Sequence, residues 1–284
     1  MLKTIILSGF CLTYALAQAQ TTASAEPTNT AASKVKYING SYDGKHDAEG
    51  QRTGFGNAQV DGGGTYSGNW DHNLRNGYGK EIFPNGDRYE GNWVNDSRQG
   101  KGTYTFVNGD TYTGDFASDK MSGKGVYRFA SGNSYEGEMV NGVMNGKGIC
   151  TYANGEKYEG QFINGKRSGQ GKYYYKDGKI YEGAFAEDDK VGNGIMYFPN
   201  GDKYEGTFIA NKRSGQGVYK FANGDTYEGE FANGMMEGSG KFHWADGDTY
   251  IGTWKNNKRH GEGKLIRKDG DVASKNYSAG IEEK

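Results

Sequence analysis

The chain has little of what most compact folds are built from. Its 284 residues hold 2 cysteines, 3 prolines and 4 histidines. After residue 16 leucine survives only as Leu74 and Leu265. That scarcity excludes a leucine-rich repeat and argues against a leucine-packed helical or sandwich core. The 49 glycines oppose long helices as well. His46, His72, His243 and His260 are scattered and show no metal-ligand spacing. After residue 17 no apolar run is long enough to cross a bilayer as a helix. The net charge of −1 gives no general attraction to nucleic acid. No cofactor or metal motif emerges.

What is present is periodic. Tyrosine recurs every 23 residues, at Tyr66, Tyr89, Tyr112, Tyr135, Tyr158, Tyr181, Tyr204, Tyr227 and Tyr250, without insertion or deletion. With that tyrosine as position 1, position 3 is glycine and position 5 is large and apolar. Tyr66-x-Gly68-x-Trp70, Tyr89-x-Gly91-x-Trp93, Tyr158-x-Gly160-x-Phe162 and Tyr227-x-Gly229-x-Phe231 are examples. Positions 12 and 14 are glycine in all nine copies, and position 18 is aromatic in eight. Positions 20 and 21 usually read Asn-Gly or Asp-Gly. A fixed short period means a repeat architecture, which leaves little room for the irregular loops of an active site.

Alternation at positions 1–5 and again at 14–18 predicts strands with one buried face. Asn-Gly and Asp-Gly predict tight hairpin turns, and positions 7–11, rich in Asn, Gly, Lys and Ser, predict the opposite turn. Each copy therefore reads as one hairpin in an antiparallel meander. The glycines are expected to let neighbouring rings lie over bare backbone, in rows along the sheet. Two strands per copy give about 10 Å of advance, so ten copies predict an elongated, twisted strip about 90–100 Å long.

The strings Tyr227-Glu228-Gly229-Glu230-Phe231 and Gly238-Ser239-Gly240-Lys241-Phe242 resemble the MORN (membrane occupation and recognition nexus) repeat. Tyr158-Glu159-Gly160-Gln161-Phe162, Gly169-Gln170-Gly171 and Asp177-Gly178 fit equally. The resemblance covers nine regular repeats, 66–272, with a degenerate one at 42–65. That one opens Tyr42-Asp43-Gly44 and keeps Gly54-Phe55-Gly56, with one extra residue before them. It implies an all-β, single-layer antiparallel meander of about ten 23-residue hairpins, curved as an open trough and serving as an interaction surface. Some members of the family bind acidic phospholipid; others build protein scaffolds or dimerise. Such functions do not transfer by fold alone.

Residues 1–19 read as a signal peptide: Lys3, an apolar stretch Thr4–Ala17, and the small-x-small sites Ala15-Leu16-Ala17 or Ala17-Gln18-Ala19. Residues 20–35 read as a flexible linker. The repeat domain is then 36–284, with a cap at 273–284. The expected product is exported, periplasmic or secreted, with no membrane-spanning segment in the mature chain. It would keep one cysteine, Cys150, at position 16, where a buried core thiol is expected.

Chemistry-bearing patterns are weak. The Gly-x-Gly pairs lack the following helix of a phosphate loop. Asp246-Gly247-Asp248 lacks a calcium-loop pattern. A 46-residue alternation at positions 9 and 10 stands out. Lys166-Arg167, Lys212-Arg213 and Lys258-Arg259 alternate with Asp189-Lys190 and Met235-Met236, and Val143-Met144 is an earlier apolar pair. These are expected in turns along one edge, with the methionines exposed. They reflect either a duplicated two-copy block or an edge for a partner or lipid headgroups. The reading is a non-catalytic exported scaffold that binds another protein or itself. Anionic lipid binding and glycan or cell-wall binding through tyrosine rows are the alternatives.

Overall fold

The computed structural model describes residues 41–60 and 62–283. The proposed signal peptide and linker lie outside the described residues. Twenty-two strands, β1 (Tyr42–His46) to β22 (Ile281–Glu282), make up the fold, and no helix occurs among the described residues. The all-β expectation holds. The chain forms two compact units. One runs through Ala153 and includes Phe162–Gly165; the other comprises Asn154–Gln161 and Lys166–Lys284. Each is a meander of antiparallel hairpins between sequence neighbours.

One hairpin shows the local logic. Strand β3 (Gly64–Asp71) pairs with β4 (Leu74–Ile82). Gly68 faces Gly79, Trp70 faces Arg75 and Asp71 faces Leu74, with a bulge between the glycine and tryptophan pairs. The bulge places Gly77 at φ 97°, in the left-handed region that favours glycine. Position 12 glycine therefore bends the strand. Only positions 3 and 14 are the bare floor for a ring.

That floor is tight. A Cβ on Gly68 would meet Gly79 Cα, and one on Gly79 would meet the Tyr66 ring. The ring lies over the glycine pair of its own hairpin, and its hydroxyl donates to the Asn69 carbonyl at 3.0 Å. Tyr89, Tyr112, Tyr158, Tyr181, Tyr204 and Tyr227 repeat the bond at 2.9–3.1 Å. Tyr42 of the degenerate copy does the same over Gly44 and Gly56.

The rings of positions 16 and 18 do run in a row of tilted contacts, such as Tyr104, Phe106 and Tyr127, but those of positions 1 and 5 do not stack as the sequence suggested. They meet edge to face. Tyr66 is 5.0 Å from Trp70 at 83° and 5.7 Å from Trp93 of the next repeat at 88°. A recumbent tyrosine offers its negative face, and the position 5 ring supplies its positive edge. Each tyrosine thus joins two consecutive repeats. Tyr66, Tyr89 and Trp93 are each 1 % exposed, Tyr158 and Tyr227 fully buried, and Trp70, Phe162 and Phe231 buried. Cys150 is a buried thiol outside any disulfide, as expected. Tyr277, in the C-terminal cap, is buried against Tyr250.

Candidate binding surfaces

The two edges of the hairpins are built differently. At one edge positions 7 and 8 form a two-residue turn with both residues at positive φ, such as Asn95 (49°) and Asp96 (69°). That is the hairpin turn whose twist matches the strands. The turn residue at position 8 then bonds the preceding repeat at position 10. The Arg75 backbone N–H and Nε both donate to Asp96 Oδ1, at 2.8 and 3.0 Å. Arg98 does this with Asp119 and Arg167 with Asp188.

At the other edge, position 22 plays the same part. Buried Asp87 accepts from the Tyr104 hydroxyl at 2.7 Å and from the Val107 N–H, both of the next repeat. Asp110 holds Tyr127 and Ala130, and Asp202 holds Tyr219 and Ala222. Burial and then the Asp202 hydrogen bond push the Tyr219 hydroxyl up to about 12. The sequence reading did not single out position 22. A signal was present: acidic position 22 precedes a position 16 tyrosine by 17 residues.

Positions 9 and 10 are not in the turn. Lys166-Arg167 opens the return strand Lys166–Tyr174, and Lys212, Met235 and Lys258 open theirs. Successive strand residues point to opposite faces, so each pair is split. Lys212 lies opposite Ile209 on the outer face, and Arg213 opposite Phe208 on the ring face. Met235 faces Ala232 and Met236 faces Phe231; Lys258 faces Lys255 and Arg259 faces Trp254. The single edge expected from the sequence is therefore two rows on two faces. Met235 and Met236 are part-buried rather than freely exposed, and Met144 is fully buried.

On the ring face the position 10 cation sits among rings. The Arg213 guanidinium carbon is 5.2–5.9 Å from the centroids of Phe198, Tyr204, Tyr219 and Phe231. Arg167 lies over Tyr158, Tyr173 and Phe185. The position 1 tyrosines are closed to a ligand. Rings that keep some exposure include Phe198 and Trp244 at position 18, where Phe106 and Phe129 are buried, and Phe55, Tyr78 and Tyr197 on the outer face.

The outer face is largely polar, with an apolar lane at position 6 and further exposed apolar side chains such as Tyr78, Ile149 and Ile251. Cross-strand pairs such as Lys80–Glu90 and Lys101–Asp115 cover it. At position 6, Val94, Val140 and Ile163 are 47, 50 and 52 % exposed. All three belong to the first unit, with Ala117 between and Val143 opposite Val140. In the second unit Ile209 is 62 % exposed. Branched apolar side chains held this open at the same position of four repeats, Val94, Val140, Ile163 and Ile209, differ from scattered surface apolars.

Among the described residues no group of three His, Cys, Asp or Glu is placed to hold a metal ion. No helix there is long and apolar enough to cross a membrane.

The family model described as MORN repeat matches nine consecutive segments, from 66–88 to 250–272. No curated protein matches. Solved structures with some likeness include the G-box domain of the microcephaly protein CPAP, at 15 % identity and TM-score 0.33. That match covers 71 % of this chain and all of the domain. The TCP10c domain of Drosophila melanogaster Sas-4 matches at 18 % identity and TM-score 0.33, over 54 % of this chain and 91 % of the domain. The Drosophila melanogaster SAS-4 TCP domain in complex with a proline-rich motif of Ana2 gives 12 % identity and TM-score 0.23, over 88 % of this chain and 96 % of that one. At TM-scores this low, none of these structures bears on what this chain binds.

Proposed function

Because the chain belongs to the MORN-repeat family, we propose that it is an exported, non-catalytic scaffold. It binds another protein, or a second copy of itself, through the outer face of its repeats. The apolar lane of Val94, Val140 and Ile163, in register on a largely polar face, carries this reading. Burying one such side chain against a partner contributes about 1.5–3 kcal/mol. The repeat delivers several of them in register. The lysine–carboxylate pairs around the lane suit a polar rim. Export rests on residues 1–19, and N-terminal sequencing of the mature chain at residue 18 or 20 tests it.

The lane is tested by placing a photo-crosslinking residue at 140 or 163 in the full chain, expressed in its own host. A crosslinked partner or dimer at those positions, absent when the probe stands at Glu182 on the same face, supports the lane. Equal capture at all three positions, or none at 140 and 163, contradicts it.

A further inference from the structure

The position 10 cations of the second unit are not answered alike. Arg167 has Asp188 at 2.9 Å. Lys190, Arg213 and Arg259 have Asn211, Gly234 and Gly280 at the corresponding turn position, and among the described residues none has a carboxylate within ion-pair distance. Lys190 Nζ donates to the Tyr175 hydroxyl at 2.7 Å, and Asn211 Oδ1 is taken by the Lys190 backbone N–H. Arg213 donates to the Gly234 carbonyl and also engages the Tyr219 hydroxyl, and Arg259 donates to the Tyr277 hydroxyl. All three lie opposite position 5 on the ring face and are part-exposed.

We propose that Lys190, Arg213 and Arg259 form a row that receives the carboxylates of an acidic, extended segment of a partner polypeptide. The carboxylates take the place that Asp188 fills for Arg167. The spacing selects the conformation. One repeat advances about 10 Å, two strand spacings. A polyproline II segment advances about 9.3 Å per turn of three residues, so acids at i and i+3 share one face. They fall in step with Lys190 and Arg213, and an acid at i+9 falls in step with Arg259. A β-strand would turn i and i+3 to opposite sides. The part-exposed rings of Phe198, Phe221 and Trp244 run beside the row, and rings of this kind suit such a segment. Lys190 is already short of negative charge: burial first, then Arg167 and Lys179, lower it to about 8 despite Asp189. This surface is separate from the outer lane and goes beyond it.

The test is fluorescence anisotropy on the full chain with labelled peptides at fixed salt. The probes are four repeats of Glu-Pro-Pro, four of Lys-Pro-Pro, and a peptide of the first composition with its glutamates adjacent. The Glu-Pro-Pro peptide is expected to bind at least about tenfold more tightly than either other, since each charge-assisted pair lost corresponds to roughly that factor. The double variant Asn211→Asp, Gly234→Asp supplies internal carboxylates at the turn position that Asp96 and Asp119 hold in other repeats, with Asn211 at φ 71° and Gly234 at 88° against their 69° and 68°. It should melt no lower than the parent and bind Glu-Pro-Pro at least about tenfold more weakly. Lys212→Glu with Lys258→Glu, on the outer face, should leave binding within about twofold, as expected of distant surface charges. Equal binding of the two glutamate peptides overturns the conformation, and undiminished binding by the double aspartate variant overturns the row.

Discussion

The two units carry the same rings on the same glycines, yet their position 10 cations stand in different company. In the first unit Arg75 is 5 % exposed and bonds both Glu81, at 2.6 Å, and Asp96. Arg98 bonds Asp119. Where the next turn offers no acid, Met121 and Met144 precede Gly142 and Gly165. In the second unit Arg213 and Arg259 precede glycines all the same. In the first unit Arg75 and Arg98 are closed by carboxylates, while Arg52 of the degenerate copy bonds the Asn73 side-chain oxygen and carbonyl. The second leaves several open, and stability alone does not explain that choice, since a part-buried cation without a carboxylate is costly. The 46-residue alternation thus concerns a contact between repeats more than an exposed edge.

The largest effects should be common to both units, because the ring floor is common. Gly114→Ala would place Cβ 2.5 Å from Gly125 Cα, and Gly206→Ala 2.6 Å from Gly217 Cα. Backbone cannot step aside, so each should lose about 3 kcal/mol or more by urea unfolding. Gly155→Ala, where φ is +90° and nothing lies within 4 Å, should lose only about 1 kcal/mol. Equal losses at the three positions would break the ring-on-glycine account.

Alkaline pH should then unfold both units. Burial pushes Tyr89, Tyr112 and Tyr204 up to about 12. Their folded values lie above the unfolded one, so their stability is complete below pH 10. It is lost as pH rises through 12, on the order of 2–3 kcal/mol for each ring. Phenolate absorbance and loss of β-sheet circular dichroism should coincide above pH 10. Early phenolate signal from Tyr89, Tyr112 or Tyr204 themselves, with the sheet intact, would place the position 1 tyrosines in solvent.

Much of this was legible in the sequence. The 23-residue period and the alternation of Tyr66, Gly68 and Trp70 gave strands, faces and core. The turn at positions 7 and 8 was harder to bound, because His72-Asn73, Asn95-Asp96 and Glu187-Asp188 hold positive φ without glycine. The turn therefore looked five residues long, and Lys212-Arg213 looked like a turn pair instead of the first two residues of a strand. The bulge hides in the same way: Gly77 and Gly79 look alike in sequence, but one bends the strand and the other underlies Tyr66. Bonds between repeats, such as Asp87 to Tyr104, show only when position 22 is compared with position 16 of the following copy.

Smaller effects should separate the units. Lys190→Met, the residue that Met144 and Met236 place at position 10, should stabilise the second unit by about 1–2 kcal/mol at pH 7. Lys190 has a folded value of about 8, below its ordinary 10.5. The penalty is therefore full at pH values below 8 and vanishes as pH rises past 10.5, and so should the gain in melting temperature. A gain independent of pH would mean packing alone. Tyr112→Phe should lose about 1 kcal/mol, since it deprives the Asp115 carbonyl of its donor. Tyr250→Phe should lose nothing, because the Tyr250 hydroxyl is buried with no hydrogen-bond partner among the described residues. Equal losses would erase that distinction.

The contrast between the units is tested most directly by denaturing Arg75→Met and Arg213→Met side by side. Arg75→Met strands the buried Glu81 carboxylate, and a loss of about 3 kcal/mol or more is expected at pH 7. Burial already holds Glu81 above the usual carboxylate range, so part of that loss should return as the carboxyl protonates in mild acid. Arg213→Met removes a cation that no carboxylate answers and should leave stability unchanged or raised. Equal losses from the two substitutions would contradict the account.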